Sequence, residues 1–231
     1  MAVVYLIPTF LHEGALHVLP SYILDAVADC QVLFVENERS ARRYLKQLKK
    51  EIVIDQYEWF TIGKAEEAMR DTFRNKLKEG KNIGIISEAG CPGVADPGQL
   101  LVAAAQEMGV KVVPFVGPSS ILLALMASGM SGQQFNFVGY LPIEQHQRIK
   151  AIKELEAESR KKNCTQIFIE TPYRNNQMLE ALLKHCQPTT QLCVAVNITG
   201  SDERIHTRTV AKWKQQVPNL HKQPAIFLLK A

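Results

Sequence analysis

The chain has 231 residues, of which 46% are hydrophobic and 22% are charged, and its formal net charge is +4 at pH 7. This composition is ordinary for a globular protein and excludes a disordered chain, a collagen-like repeat and a coiled-coil rod. The mildly basic charge is compatible with RNA or another anionic partner without demonstrating one.

No apolar run approaches the roughly 20 residues that a membrane-spanning helix needs, and the N-terminus lacks the basic segment of an export signal. The five cysteines are scattered, with no C-x-x-C pair and no zinc-finger spacing to histidine. We therefore expect a protein of the reducing cytoplasm with free thiols, no bound metal and no membrane partner.

Strands and helices alternate along the first half of the chain. Short β-branched runs predict the strands, and apolar residues at helical spacing predict the helices. The predicted strands are Val3–Ile7, Gln31–Val35, Ile52–Ile54, Asn82–Ser87 and Lys111–Val116. The predicted helices are Pro20–Ala28, Ser40–Lys49 with Ser40 as its N-cap, Lys64–Lys78, and one that starts at Asp96-Pro97 with Asp96 as its N-cap.

The alternation resumes after the turn at Gly117-Pro118. The predicted strands are Phe135–Tyr140, Thr165–Glu170, Gln191–Asn197, Thr207–Val210 and Ala225–Leu229. The predicted helices are Ile121–Ser128, capped by Ser119 or Ser120, followed by Ile149–Lys161, Asn175–His185 and Ala211–Val217. This pattern indicates an α/β fold of two subdomains, residues 1–116 and 117–231, each with a mainly parallel sheet. Ligands of such sheets lie outside the carboxyl ends of the strands, so we expect a cofactor cleft between the subdomains.

The most informative loop is residues 87–98, S-E-A-G-C-P-G-V-A-D-P-G, which leaves a buried strand and opens a helix. Its glycines and its Pro-Gly pair let the backbone approach a ligand closely. Four later strand exits also carry Gly, Pro or hydroxyl residues: 116–120, 137–142, 170–174 and 197–200. Plain strand–turn–helix connections are the alternative, because any parallel sheet provides some of these features.

Several common nucleotide and hydrolase motifs are missing from the sequence. There is no G-x-G-x-x-G, no Walker G-x-x-x-x-G-K-[ST] and no G-x-S-x-G. The six histidines show no metal-binding spacing. A nicotinamide or ATP enzyme of the usual kinds is therefore disfavoured.

The loops resemble a known family, the 2′-O-ribose methyltransferases of ribosomal small-subunit RNA, within the tetrapyrrole-methylase (class III S-adenosylmethionine) superfamily. Residues 87–98 are similar to its S-D-A-G-T-P-x-I-S-D-P-G segment. Further matches follow in order along nearly the whole chain: Tyr5–Thr9 with L-Y-x-V-x-T-P, Val35–Arg39 with A-E-D-T-R, Gly117–Ser120 with G-P-S-A, Phe137–Pro142 with F-x-G-F-L-P, and Glu170–Arg174 with E-S-P-H-R.

The resemblance implies a tetrapyrrole-methylase fold, S-adenosyl-L-methionine as cofactor, a homodimer, and ribosomal RNA or the small subunit as partner. The cofactor contacts that it implies are Ser87, Glu88, Ala89, Val94, Asp96, Ser119, Ser120, Leu141, Thr171 and Asn197. The substrate contacts expected are Arg39, Arg148 and Arg174. No catalytic residue is assigned, although Glu36, Glu38 and Glu88 at strand exits could accept a proton.

The departures from the family pattern lie mainly on the substrate side. Residues 10–14 replace a P-I-G-N-L-G-D loop, the basic residue expected after Leu141-Pro142 is not reached until Arg148, and residues 199–208 lack an R-E-L-T-K run. Three functions therefore stay open. They are methylation of ribosomal RNA at a ribose hydroxyl, methylation of a small molecule such as a tetrapyrrole, and cofactor binding by a regulatory protein without turnover.

Overall fold

The computed structural model describes residues 2–62 and 66–231. The chain divides into two compact units, Met1–Ser119 and Ser120–Ala231. The predicted boundary, between residues 116 and 117, falls in the same connecting segment, residues 115–119.

The first unit is built on a five-stranded sheet in which every pair of neighbours is parallel. Its strand order is β3-β2-β4-β1-β5. The strands are β1 (Val3–Ile7), β2 (Val32–Val35), β3 (Glu58–Thr61), β4 (Ile83–Ile86) and β5 (Lys111–Pro114). All residues of β2 and β4 are buried, as expected where helices cover both faces of a parallel sheet.

The helices of the first unit cover the two faces of this sheet in pairs. They are α1 (Ile23–Asp29), α2 (Glu38–Leu48), α3 (Glu66–Lys78) and α4 (Gln99–Glu107), with short 3-10 helices at Leu16–Val18 and Ile54–Gln56. Val27 and Leu45 place α1 and α2 in one apolar cluster with Leu33. Phe73 and Leu101 place α3 and α4 in the opposite cluster with Phe34. The chain therefore leaves β1 and β2 toward one face, and β3 and β4 toward the other.

The second unit has a mixed five-stranded sheet with the order β6-β7-β10-β8-β9. The strands are β6 (Phe135–Tyr140), β7 (Thr165–Ile169), β8 (Gln191–Val196), β9 (Arg204–Thr209) and β10 (Ala225–Lys230). The pair β6–β7 is parallel, whereas β7–β10, β10–β8 and β8–β9 are antiparallel.

The prediction of an α/β fold is confirmed, but the prediction of a mainly parallel second sheet is wrong. Strands β6, β7 and β8 do share one direction, as the strand–helix alternation requires. Strands β9 and β10 run in the opposite direction. A short connection makes β8–β9 an antiparallel hairpin, and β10 inserts between β7 and β8 in the opposite direction.

The helices of the second unit are α5 (Ser120–Ser128), α6 (Gln145–Lys162), α7 (Asn175–His185) and α8 (Val210–Trp213). Helices α6, α7 and α8 pack around one apolar core, whereas α5 contacts β9 and β10 outside that core. Phe168 and Phe227 stack at the centre of this core with their ring centroids 5.6 Å apart. Leu179, Leu182 and Trp213 bury α7 and α8 against the same cluster.

Some predicted element ends are corrected by the structure. Residues 52–53 are not a strand; Ile54 begins a 3-10 helix, and the third strand starts at Glu58. Helix α2 is capped by Asn37 and not by Ser40, because the Asn37 side chain accepts hydrogen bonds from the amides of Arg39 and Ser40. Residues 64 and 65 of the predicted third helix lie outside the described residues.

All five cysteines are free. Across the described residues no helix combines the length and the apolarity that crossing a membrane requires. Within the same residues no group of three or more His, Cys, Asp or Glu side chains is arranged to hold a metal ion.

The close approach of two strand exits generates a first prediction. A Cβ on Gly117 would lie 2.1 Å from the Cβ of Pro8, and neither ring nor backbone can move aside cheaply. We expect Gly117→Ala to lower the free energy of unfolding by about 1–3 kcal/mol, the usual cost of overpacking. Chemical denaturation measures this change.

Gly132→Ala is the matched control, because the nearest atom to a Cβ there is 3.8 Å away. Equal stability of the Gly117→Ala protein and the wild type would contradict the tight packing of these two exits.

Candidate functional site

The centre of the first sheet is where the chain leaves in opposite directions. Strands β1 and β4 are parallel neighbours, yet β1 leads to α1 on one face and β4 leads to α4 on the other. Neighbouring exits that diverge in this way open a crevice at the carboxyl edge of the sheet, where open α/β sheets bind their ligands. Residues 87–98 lie at this edge because they follow β4 directly.

The loop 87–98 is tied to the exit of β1 by main-chain and hydroxyl contacts. The amide of Thr9 donates to the carbonyl oxygen of Gly90 at 2.8 Å, and the Thr9 hydroxyl donates to the Ser87 carbonyl at 3.3 Å. The Ser87 hydroxyl lies 3.5 Å from the Gly90 carbonyl. Thr9 and Ser87 are both buried. The beginning of the loop is therefore held in place. Thr9, which makes two of these contacts, was not among the predicted site residues.

The middle of the loop follows a path that ordinary residues seldom adopt. Gly90, Gly93 and Gly98 have φ values of 75°, 77° and 124°, which glycine adopts at little cost. Ala95 has a φ of 63°, where a Cβ is unfavourable. A non-glycine residue held in this region often marks a functional loop.

Two predicted cofactor contacts, Ala89 and Val94, are exposed on the surface of this loop. The exit of β5 is close by, because the Cys91 thiol lies 3.5 Å from the Pro118 carbonyl. Ser119 ends the first unit, and Ser120 is the first residue of α5 in the second unit.

An acidic cluster forms where the exits of β2 and β4 meet. The amide of Glu88 donates to Glu36 Oε2 at 3.1 Å, and the Ser40 hydroxyl donates to Glu88 Oε1 at 2.7 Å. Burial raises the pKa of Asp96 to about 7, and the negative charges of Glu36 and Glu88 add to this rise. We call Glu36, Glu88 and Asp96 the carboxylate cluster.

The carboxylate cluster has no positive partner of its own in the described part of the chain, since none of its members forms an ion pair there. Such an arrangement favours a cationic ligand, which would offset the mutual repulsion of the carboxylates. Glu38, the other candidate proton acceptor, differs from this cluster because its charge is paired with Arg42 at 2.8 Å.

The prediction that Asp96 caps α4 is wrong. Helix α4 begins at Gln99, and its N-cap residue is Gly98, which has no side chain that could cap the helix. Glu66 on α3 caps the helix instead, because its Oε1 accepts hydrogen bonds from the amides of Gly98 at 3.0 Å and Leu100 at 2.7 Å. The Asp96 carboxyl is thereby left available to a ligand. The sequence offered no signal for Glu66, because the contact spans more than 30 positions.

In the second unit, the predicted residues follow the three strands that share one direction. Leu141 is buried just beyond β6. Thr171 follows β7, and its amide donates to Glu170 Oε1 at 2.6 Å. Asn197 follows β8 with a φ of 51°, and its side chain donates to Asp202 Oδ2 at 2.6 Å. All three therefore lie at the same edge of the second sheet.

Residues 222–224 join the exits of β7 and β8. The amide of Lys222 donates to the Pro172 carbonyl at 3.0 Å, and the amide of Asn197 donates to the Pro224 carbonyl at 3.0 Å. Three buried polar atoms near these exits have no hydrogen-bond partner among the described residues: Glu170 Oε2, Asn175 Oδ1 and Thr199 Oγ1. Buried polar groups are normally paired, so this edge can accept hydrogen bonds from a ligand. None of the three was named as a contact from the sequence, although Glu170 lies in the E-T-P-Y-R match.

The three predicted substrate contacts, Arg39, Arg148 and Arg174, do not contact one another. Arg39 is exposed in the first turn of α2. Arg148 is buried on α6, and its Nη1 donates to the Ile143 carbonyl at 3.0 Å. Arg174 is held by an ion pair with the buried Glu170 at 2.5 Å.

The family of the chain follows from comparison with known proteins. Residues 17–213 match the family model of tetrapyrrole (corrin/porphyrin) methylases. The chain belongs to this family. Two solved structures share its fold: the methyltransferase CobJ, with a TM-score of 0.64 and 17% identity, and the uroporphyrin-III-C-methyltransferase of Thermus thermophilus, with 0.58 and 17%. The matches cover 99% of this chain in both cases, and 93% and 92% of those chains.

Curated relatives are more similar in sequence. The ribosomal RNA small subunit methyltransferase I of Escherichia coli O157:H7 is 33% identical over 168 residues, which are 71% of this chain and 57% of that protein. The protein of the same name from Vibrio cholerae is 29% identical over 230 residues, 98% of this chain and 76% of its own length. The chain thus spans little more than half of the E. coli relative.

The capping contact of Glu66 generates a prediction. We expect Glu66→Ala to destabilise the protein by about 1 kcal/mol, the typical cost of losing a helix N-cap acceptor. Hydrogen exchange of the Gly98 and Leu100 amides should become faster, since both lose their acceptor. Thermal unfolding and amide exchange measure the two effects.

Glu67→Ala is the control, because Glu67 is the exposed neighbour and contacts only Arg70, at 3.5 Å, among the ion pairs of the described chain. Unchanged exchange of both amides in Glu66→Ala would show that another group caps α4.

Proposed function

We propose that the protein is an S-adenosyl-L-methionine-dependent methyltransferase that methylates a ribose 2′-hydroxyl of small-subunit ribosomal RNA. The observation that carries the proposal is the match across 98% of the chain to a relative named as a small-subunit ribosomal RNA methyltransferase. The resemblance of the loops to 2′-O-ribose methyltransferases supports the ribose hydroxyl as acceptor.

The chemistry of the first unit fits this cofactor. When bound, S-adenosyl-L-methionine supplies an electrophilic methyl group on a positively charged sulfonium. The carboxylate cluster supplies negative charge that no cation of the described residues neutralises, so it favours a cationic ligand. The glycines of residues 87–98 let main-chain groups approach that ligand. Of the residues expected to contact the cofactor, Ser87, Glu88 and Asp96 are thus supported by charge and position.

The proposal extends to the setting in which the protein works. The family resemblance supports a homodimer that acts in the cytoplasm, where ribosomal RNA is made. Sedimentation velocity of the purified protein tests the dimer.

The state of Asp96 generates a pH prediction. A cation bound beside Asp96 favours its ionised form and lowers its pKa from about 7. Binding then releases a proton at pH values below 7, so the affinity for S-adenosyl-L-methionine should rise with pH, by at most about tenfold per unit, and level off above pH 8. Titration calorimetry between pH 5.5 and about 8.5 measures this dependence.

Two controls isolate the charge effect. S-adenosylhomocysteine, which has a neutral sulfur, should show a weaker pH dependence, and Asp96→Asn should flatten the dependence for both ligands. A steep rise that survives in Asp96→Asn would assign the titration to another group.

Methyl transfer tests the proposed acceptor directly. Purified protein is incubated with tritiated S-adenosyl-L-methionine and small-subunit ribosomal RNA that lacks the modification. We expect label in the RNA, and alkaline hydrolysis should leave it in dinucleotides, because a methylated 2′-oxygen cannot assist backbone cleavage.

Two other outcomes would contradict this acceptor. Label in a tetrapyrrole but not in RNA would establish methylation of a small molecule, the alternative reaction. Tight cofactor binding without transfer to either acceptor would establish a regulatory protein.

A further inference from the structure

Strand β9 carries a row of basic side chains along one face of the second sheet. Arg204, His206 and Arg208 alternate along the strand, so they share a face, spaced about 7 Å apart. Their register partners on β8 are Val196, Val194 and Leu192. These apolar residues belong to the buried core. Strand β9 is an edge strand. The basic row therefore lies on the same face of the sheet as the buried core, at the edge of that core.

Two depressions flank this row. One, of about 240 Å³, lies between Arg204, His206 and Arg208 on one side and an apolar wall that includes Val217 and Leu220. The other, of about 750 Å³, is lined by polar and basic residues, Lys212 and Thr207 among them. Arg208 and Gln216 line both. The two depressions are therefore parts of one surface, which we call the β9 surface.

The β9 surface is unusual in its charge. No carboxylate lines either depression within the described residues. In the described chain none of Arg204, Arg208 and Lys212 forms an ion pair. The two arginines donate hydrogen bonds to neutral groups: Arg204 to Gln223, and Arg208 to Gln216 at 3.4 Å. On α6, by contrast, Lys150 and Lys162 each pair with a glutamate one turn away.

The position of Arg208 in the β9 surface is fixed by the buried residue Trp213. The Arg208 guanidinium lies over the Trp213 ring, 4.9 Å from its centroid, and the indole nitrogen of Trp213 donates to the Leu192 carbonyl at 2.8 Å. An arginine stacked on a buried ring keeps its outer edge available for hydrogen bonds to phosphate. Preorganised cations without carboxylate partners are the features expected of a polyanion-binding surface.

We propose that the β9 surface, through Arg204, Arg208 and Lys212, binds the phosphodiester backbone of RNA. This inference rests on the proposed function for its choice of polyanion. Phosphate contacts position an RNA without reading its sequence, so the surface would add affinity and orientation and not base specificity.

The test measures RNA affinity and its salt dependence separately from methyl transfer. Small-subunit ribosomal RNA is titrated with the wild type and with Arg204→Gln/Arg208→Gln at several salt concentrations. We expect the double variant to bind about tenfold more weakly at low salt. The slope of log affinity against log salt should shrink by about 1.4 to 1.8, since each phosphate contact contributes roughly 0.7 to 0.9.

A second variant guards against a folding defect. Arg204→Gln/Lys212→Gln leaves the stacked Arg208 in place and should weaken binding in the same way. Lys150→Gln/Lys162→Gln is the matched control in the same unit, because both lysines are exposed but paired with glutamates. It should keep the affinity and the slope of the wild type.

The outcomes separate this inference from the proposed function. Wild-type affinity in both β9 variants, or an equal loss in the control, would overturn the inference even if RNA is methylated. Loss of RNA binding in the variants supports the inference even if the methyl group is transferred elsewhere.

Discussion

Crowding at the carboxyl edge of the first sheet is the constraint on which the site depends. Strand β1 lies between β4 and β5, so the exits of all three strands compete for the space around Pro8 and Thr9. On the β5 side, Gly117 fits against Pro8 because it has no side chain. On the β4 side, the carbonyl of Gly90 accepts a hydrogen bond from the Thr9 amide. Tyr44 adds a third constraint from α2, since its hydroxyl donates to the Pro8 carbonyl at 2.6 Å. Main-chain contacts thus hold the loop 87–98 in place, and its Asp96 carboxyl forms no ion pair within the described residues.

The carboxylate cluster differs from the other acidic residues of the first unit in how its charge is balanced. Hydrogen bonds from Lys76 and Lys81 lower the pKa of Glu58, and hydrogen bonds from Arg74 and Arg70 help to lower that of Glu107. The pKa of Asp96 is instead raised. Glu58 and Glu107 are thus paired with cations, whereas the carboxylates at the strand exits repel one another. Selection for folding alone does not favour such an arrangement, whereas a cationic ligand at this edge would offset the repulsion.

The sequence predicted the first unit well because its signals are local. Buried parallel strands such as Ile83–Ile86 are continuous apolar runs, and helices such as α3 carry their periodicity within a few turns. The position of the loop 87–98 followed from the same signals. The wrongly predicted cap of α4 depended on a contact between distant residues. Asp96 fits a local capping pattern, but the cap comes from Glu66 on another helix, and no spacing rule connects the two.

The mixed character of the second sheet was missed for a related reason. Alternation of strands and helices determines which strands share a direction, and it does so correctly for β6, β7 and β8. It does not determine where a late strand inserts. The orphaned acceptors Glu170 Oε2 and Asn175 Oδ1 likewise depend on how residues 222–224 pack beside the strand exits, which only the folded structure reveals.

The position of β10 also determines what β9 exposes. Because β10 lies between β7 and β8, the sheet ends on one side at β9, whose outer main-chain groups have no strand partner in the described sheet. Proteins commonly protect such edges with charged side chains, which would explain a few scattered charges of either sign. That explanation does not require three cations whose two depressions are lined by no carboxylate of the described residues, nor an arginine fixed over a buried indole. Protection of the edge accounts for the presence of charge on β9, whereas its single sign and its fixed geometry are better explained by a polyanion that binds there.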